Sequence, residues 1–199
     1  MLRTFLLSLL LLAASARGSD RILFSFSPNY SYNYLYQDDQ DLRGEWGFGG
    51  ELEIKNFIPH IGLKFRGSKI NYSARSGQNP YEYEYIPLSL CTSFDLLPFI
   101  DIPWLNLTAE TGLGLYLWRG LDNGEVVVLP DASEMDEMDI GFVGGFTVQL
   151  RPTRYLGLEY ATRYNYIASS DLSKYGYYDK DEKIWEHGVG LKLVFCRTQ

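Results

Sequence analysis

Between Trp104 and Trp118 the chain alternates apolar with polar or small side chains without a break. Leu105, Leu107, Ala109, Thr111, Leu113, Leu115 and Leu117 share one parity, and Asn106, Thr108, Glu110, Gly112, Gly114 and Tyr116 share the other. Successive side chains of a β-strand point to opposite faces, so a period of two gathers the leucines on one face. A helix would scatter them around its axis, because its repeat is 3.6 residues. The run also exceeds the ~5 to 6 residues usual in soluble strands. It predicts a long strand with one apolar and one polar face.

The same alternation recurs in Ile140, Phe142, Gly144, Phe146, Val148 and Leu150, then in Leu156, Leu158, Tyr160, Thr162, Tyr164 and Tyr166, and last in Trp185, His187, Val189, Leu191, Leu193 and Phe195. Earlier in the chain it appears at Ile22-Phe24-Phe26 leading to Tyr30-Tyr32-Tyr34, at Trp46-Phe48-Leu52-Ile54 and at Ile61-Leu63-Phe65. With Tyr81 to Phe94 these make eight strands. In that segment Tyr81, Tyr83 and Tyr85 are odd while Ile86, Leu88 and Leu90 are even. If both sets face outward the strand must change phase, and Pro87, which cannot donate to a ladder, marks the place for a β-bulge. The 16 Tyr, 11 Phe, 4 Trp and 19 Gly favour strands and tight turns over helices.

Short links fall at Phe57-Ile58-Pro59-His60 and Arg151-Pro152-Thr153-Arg154, with a medium one at Asp95 to Pro103. Long polar links fall near Gln37 to Gly44, Ser68 to Pro80, Arg119 to Asp139 and Ile167 to Lys183. Long and short links thus occupy opposite ends, the asymmetry of a barrel with short periplasmic turns and long outer loops.

The N-terminus sets the compartment. Arg3, the apolar run Phe5 to Leu12 and the small residues Ala14-Ser15-Ala16 form a secretory signal pattern, with cleavage read after Ala16. The apolar run is far short of the roughly 20 residues of a membrane helix. Residues 1–16 are therefore a signal peptide and 17–199 one barrel domain. The formal charge of the whole chain is −7, and losing Arg3 makes the mature part more acidic. This argues against a nucleic-acid partner.

A soluble lipocalin-like barrel that binds a small apolar ligand has the same strand count with the faces reversed, and Gly44-Glu45-Trp46 matches that family's short Gly-x-Trp signature. Three features favour the membrane barrel. Trp46, Trp118 and Trp185 fall where strands meet long loops and Trp104 at the opposite end, as interfacial aromatic belts require. The polar face carries Glu51, Glu53, Lys55, Lys64, Arg66, Glu110, Glu159, Arg163, Glu186 and Lys192, which a narrow lumen could pair. The chain also ends in a strand. Centring the second hairpin on Ile58-Pro59 sets Phe57 across from His60, Glu53 across from Lys64 and Glu51 across from Arg66, at a spacing that permits salt bridges.

The signal peptide, the eight alternating strands, the Gly-rich inner face and the final Val189-Leu191-Leu193-Phe195 strand resemble the OmpA/OmpX-like outer-membrane β-barrel family over essentially the whole mature chain. The resemblance implies a bacterial outer-membrane location, membrane lipids as surroundings, and recognition of the last strand by the barrel-assembly machinery. The family's last strand usually ends on an aromatic residue. Here Cys196-Arg197-Thr198-Gln199 follow Phe195.

Eight strands enclose a space that side chains can fill, which argues against a general diffusion pore. The first functional reading is a non-enzymatic surface barrel, structural or binding through its loops. Asp122, Glu125, Asp131, Glu134, Asp136, Glu137 and Asp139 make one loop acidic, without the ligand spacing of a calcium site. No cofactor, metal or catalytic residue is assigned. A lipid-modifying enzyme would need a nucleophile and a base, and the chain has only His60, in a turn, and His187, on the apolar face. Cys91 and Cys196 fall on the fourth and eighth strands, on opposite sides of a barrel, so they are read as unpaired thiols.

Overall fold

The structure, a computed structural model, describes residues 22–36, 44–73, 82–97, 102, 104–168 and 181–197. Residues 1–21, where a signal peptide is expected, the last two residues, most of 98–103 and the central parts of three long links (37–43, 74–81 and 169–180) lie outside the described residues. The strands are β1 (Leu23–Tyr36), β2 (Glu45–Ile58), β3 (Ile61–Ser73), β4 (Glu82–Asp95), β5 (Leu105–Asp122), β6 (Glu125–Val126), β7 (Asp136–Leu150), β8 (Leu156–Ala168) and β9 (Glu182–Arg197). All pairings are antiparallel. Neighbours in sequence pair with one another, β1 pairs β9, and β4 pairs β5, so every strand except the two-residue β6 belongs to one closed eight-stranded up-and-down barrel. Closure leaves no long free edge in the wall.

The strands are steeply staggered. A row of registered partners leaving β3 at Ile70 passes through Gly47, Ser31, Gly188, Ala161, Thr147, Thr108 and Asp95. It returns at His60, whose carbonyl accepts from the Asp95 N–H at 2.9 Å, ten residues from its start. Such a stagger requires strands tilted against the barrel axis. Alternation then assigns the faces. Leu52, Ile54, Leu63, Phe65, Leu113, Phe142, Leu158 and Val189 are exposed on the outer wall, while Glu51, Glu53, Lys64, Arg66, Glu110, Arg163, Glu186 and Lys192 are buried inside.

Three local expectations need correction. First, β4 runs unbroken, and its register with β5 holds from Glu82 to Asp95. No bulge forms at Pro87. The missing N–H is accommodated by a gap in the β3 ladder opposite Ser68 and Lys69, with the same register on either side. Leu88 and Leu90 therefore stay on the outer wall, and Tyr83 and Tyr85 are driven inside, where both are buried. Second, the turn between β2 and β3 centres on Pro59-His60, with Ile58 facing Ile61. A register shift between Lys55 and Ile58 absorbs the difference, with Asn56 at φ 61° and His60 at φ 64°. Beyond that shift Glu53 faces Lys64 and Glu51 faces Arg66. Third, much of the link from Arg119 to Asp139 is strand. Asn123-Gly124, with φ 52° and 86°, makes a tight turn of the kind that Asn-Gly favours. It folds β6 back on β5, and the Met135 N–H donates to the Val127 carbonyl at 2.8 Å.

Candidate functional site

The lumen is filled in three layers. Nearest the short turns, Lys55 lies 2.6 Å from Asp95, and His60 Nδ1 is 3.9 Å from the same carboxylate. All three belong to the end where β2 turns into β3 and β4 leaves the wall.

The middle layer is ionic. Arg163 of β8 donates to Glu110 of β5, reaches Glu186 of β9 at 3.0 Å and reaches Glu51 of β2 at 2.8 Å. Lys64 lies 3.2 Å from Glu51 and 2.8 Å from Glu110. Arg66 pairs with Glu186 and also donates to Asn165 Oδ1 at 3.4 Å. Below these, Lys192 pairs with Glu53 and lies 2.9 Å from Glu159, while Ser93 donates to Glu53 at 3.1 Å. The register places Glu53 opposite Lys64 and Glu51 opposite Arg66, yet neither opposed pair forms its ion pair. Long side chains inside a narrow, staggered barrel point across the lumen and reach strands two or three positions away. Glu53, Arg66 and Lys192 take their partners from other strands for that reason.

The five carboxylates Glu51, Glu53, Glu110, Glu159 and Glu186 face the four cations Lys64, Arg66, Arg163 and Lys192. All are buried except half-buried Glu159. An unpaired ion at such depth would cost several kcal/mol, so near balance of charge is a condition of packing these groups here. Small neighbours make the room. A Cβ on Gly145 would lie 2.9 Å from the Arg163 side chain, and one on Gly62 3.1 Å from Glu53 Oε1.

The layer nearest the long loops is apolar. Leu35, Ile70, Tyr72, Tyr83, Tyr85, Tyr116, Trp118, Met135, Ile167 and Ile184 form one buried cluster. Tyr72 meets Tyr85 edge to face at 5.5 Å, and Tyr83 meets Trp118 at 6.1 Å. Two phenols tie this cap to polar partners: Tyr85 donates to Glu182 at 2.7 Å and Tyr116 to Asn165 Oδ1 at 2.9 Å. Trp118 thus departs from the expected interfacial belt. Its even number gives it the parity of Glu110 and Tyr116, so it points into the lumen. Trp46, Trp104 and Trp185 are exposed on the outer wall. The expected phase change in β4 would turn Tyr83 and Tyr85 away from this cap, whereas the unbroken β4 places them on the same side as Ser89, Cys91 and Ser93.

The acidic link is surface. Ser133 donates twice to Asp131, from Oγ at 2.7 Å and from its N–H at 3.1 Å, which holds that exposed carboxyl below its usual range. Among the described residues no group of three or more His, Cys, Asp or Glu is placed to hold a metal ion. Cys91 is a buried free thiol; the Cys196 side chain lies outside the described residues. His187 is on the outer wall, where its Nδ1 lies 3.1 Å from the Tyr160 hydroxyl.

A closed antiparallel barrel of eight long strands, charged within and apolar without, has the fold of the small outer-membrane barrels. Solved structures of that class superimpose on it. Neisserial surface protein A gives a TM-score of 0.60 at 15% identity, covering 86% of this chain and 97% of that one. Ail, the attachment invasion locus protein of Yersinia pestis, solved with the heparin analogue sucrose octasulfate, gives 0.57 at 13%, covering 88% and 99%. The outer membrane protein OprG of Pseudomonas aeruginosa gives 0.56 at 10%, covering 88% and 96%. No protein-family model matches the chain, and no curated protein matches it.

Proposed function

We propose that this chain is an exported, integral protein of the bacterial outer membrane, a non-enzymatic barrel with a structural or surface-binding role exercised through its long loops. The observation that carries the reading is the inverted polarity of the wall. Phe48, Leu52, Phe65, Leu113, Phe142 and Phe146 are each at least half exposed, while lysines, arginines and glutamates are sealed inside. In water that wall would leave far more apolar area uncovered than the few hundred Å² a soluble monomer tolerates. In a bilayer the same wall is solvated by acyl chains, and turning one inner Lys or Arg to the lipid near the midplane would cost roughly 2 to 4 kcal/mol.

The soluble-barrel reading needs the reverse arrangement, since an apolar ligand would have to displace the ionic layer around Arg163. Transport by free diffusion is opposed by the same layer, which spans the lumen from β8 to β2. The two histidines are engaged far apart, His60 beside Asp95 and His187 beside Tyr160, which is a poor start for an acyl-transfer site. In the link between β5 and β7, Asp122, Glu125, Asp131 and Glu134 are exposed beside the exposed Arg119, so this link does not favour a polyanion. Export and recognition of the last strand by the assembly machinery are part of the proposal, supported by the outward Leu191 and Phe195 of β9.

Cell fractionation with unboiled and boiled gel electrophoresis tests the reading. The protein should remain in the outer-membrane fraction through a salt wash and change mobility on boiling. Recovery as a soluble periplasmic protein would refute it.

A further inference from the structure

The outer wall is not uniform around its circumference. On β3, β4, β5 and β7 the exposed residues of the mid-wall are aliphatic or Phe, such as Leu63, Leu90, Leu115, Ile140 and Phe142, apart from Thr111, with Lys69, Asn71, Glu82 and Asp136 exposed nearer the long loops. Among the described residues those four strands carry no outward Tyr, Trp or His. Apart from Trp104, at the turn-side foot of β5, every outward aromatic with a polar atom among the described strand residues falls on the contiguous quartet β8-β9-β1-β2, and several of these residues touch. Tyr30 stacks on Trp46 at 4.8 Å with planes 6° apart, Tyr32 meets Trp46 edge-on at 4.9 Å, and Tyr164 packs on Trp185 at 4.9 Å.

An interfacial girdle does not account for this. A girdle forms a ring at headgroup level on all strands, whereas this patch occupies half of the circumference and runs down the wall. Tyr160 lies four residues below Tyr164 on β8, ~13 Å along the strand at ~3.3 Å per residue. His187 sits between Thr162 and Tyr32 in register, so an imidazole and several hydroxyls face outward below the aromatic rim. Ionisable residues facing hydrocarbon are rare and mark function. The Tyr160 hydroxyl engages only Nδ1 of His187. The other ring nitrogen, Nε2, has no hydrogen bond to a described residue.

We propose that this face is the interface of a homodimer in the membrane, in which β8-β9-β1-β2 of one copy packs against the same face of a second. The inference rests on the outer-membrane reading. Two properties point to a second copy. Tyr30, Tyr34, Phe48, Tyr160, Trp46 and Trp185 each expose between 43% and 65% of their surface. At ~200 Å² for a whole ring, that is roughly 600 Å² per copy before Tyr32 and His187 are added. A standard interface takes ~800 Å² per partner. The chemistry is also self-complementary. A two-fold axis brings the same patch to itself, and phenols and neutral imidazole each both donate and accept. Acyl chains can do neither.

Sedimentation of the refolded full chain in density-matched detergent and cross-linking in phospholipid vesicles read the stoichiometry, with the boiled-gel shift as the check that each variant is folded. The wild type should dimerise. His187→Leu and Trp185→Leu should each weaken association by about tenfold, the scale of a central interface contact. Leu90→Ala on β4 and Leu113→Ala on β5, on the opposite wall, should leave it unchanged. A wild type that is monomeric in both media overturns the inference, as does equal loss in the opposite-wall variants. A monomer that retains a lipid which His187→Leu releases assigns the face to lipid instead. A folded, heat-modifiable monomer in the outer membrane sinks this inference and leaves the proposed location standing.

Discussion

Replacing Arg163 with Met removes the side chain that, among the described residues, is paired with three other strands. Its guanidinium serves Glu51, Glu110 and Glu186. Met fills similar volume, so the change isolates charge. Lys64 remains beside Glu51 and Glu110, and Arg66 remains on Glu186. The balance shifts from four cations against five carboxylates to three against five. Breaking a buried ion pair by removing one partner costs about 3 to 5 kcal/mol, because the other charge stays desolvated. The surviving partners place the expectation near 3 kcal/mol on that scale. Adding Glu110→Gln to Arg163→Met should recover roughly 1 to 2 kcal/mol, since one orphaned charge is gone. Urea unfolding of the refolded barrel, followed by tryptophan fluorescence, reads these differences. Arg154→Met is the control: Arg154 is an exposed cation resting over the Tyr155 ring at 4.8 Å, so its loss should cost no more than ~1 kcal/mol. If Arg163→Met costs as little as Arg154→Met, water reaches the ionic layer and the lumen is not sealed.

Gly112→Ala should destabilise by ~1 to 3 kcal/mol, because its Cβ would lie 2.1 Å from the Leu90 carbonyl oxygen, whereas Gly144→Ala, with nothing within 4 Å, should fall within ~0.5 kcal/mol; the same urea midpoints decide. Tyr85→Phe strips the hydroxyl that Glu182 accepts from and should cost ~1 to 3 kcal/mol, while a neutral result would mean that water reaches Glu182. A protease of broad specificity added to intact cells should cut within the exposed Glu125 to Glu134 stretch if it cuts among the described residues at all, and peptide mapping that finds cleavage at the turns around Pro59 or Pro152 instead would reverse the orientation.

The two-residue period assigned the faces of most strands from the sequence alone. Outward Leu113 and inward Glu110, or outward Leu63 and inward Lys64, follow from parity, because no strand can turn two neighbours to the same side without a bulge. The same reasoning fails at β4, where Pro87 predicts a phase change and a gap in one ladder proves sufficient. Register between β2 and β3 was legible despite a misplaced turn, since the shift at Asn56 offsets the one-residue difference. Asn123-Gly124 is a hairpin signal within the link expected from Arg119 to Asp139, and there it folds β6 back on β5.

What no linear pattern contains is the contact across the lumen. Parity says that Arg163 and Glu51 are both inside, but β8 and β2 meet only because closure joins β9 to β1 and the stagger brings distant strands to one height. The opposed pairs Glu53 with Lys64 and Glu51 with Arg66 are properties of two strands, and tertiary structure overrode them because an enclosed charge takes the partner its length and direction allow. The gathering of Tyr72, Tyr83, Tyr85, Tyr116 and Trp118 into one cap has the same origin. Each tyrosine was visible on its own strand, and only the closed barrel places them at a common level beneath the loops.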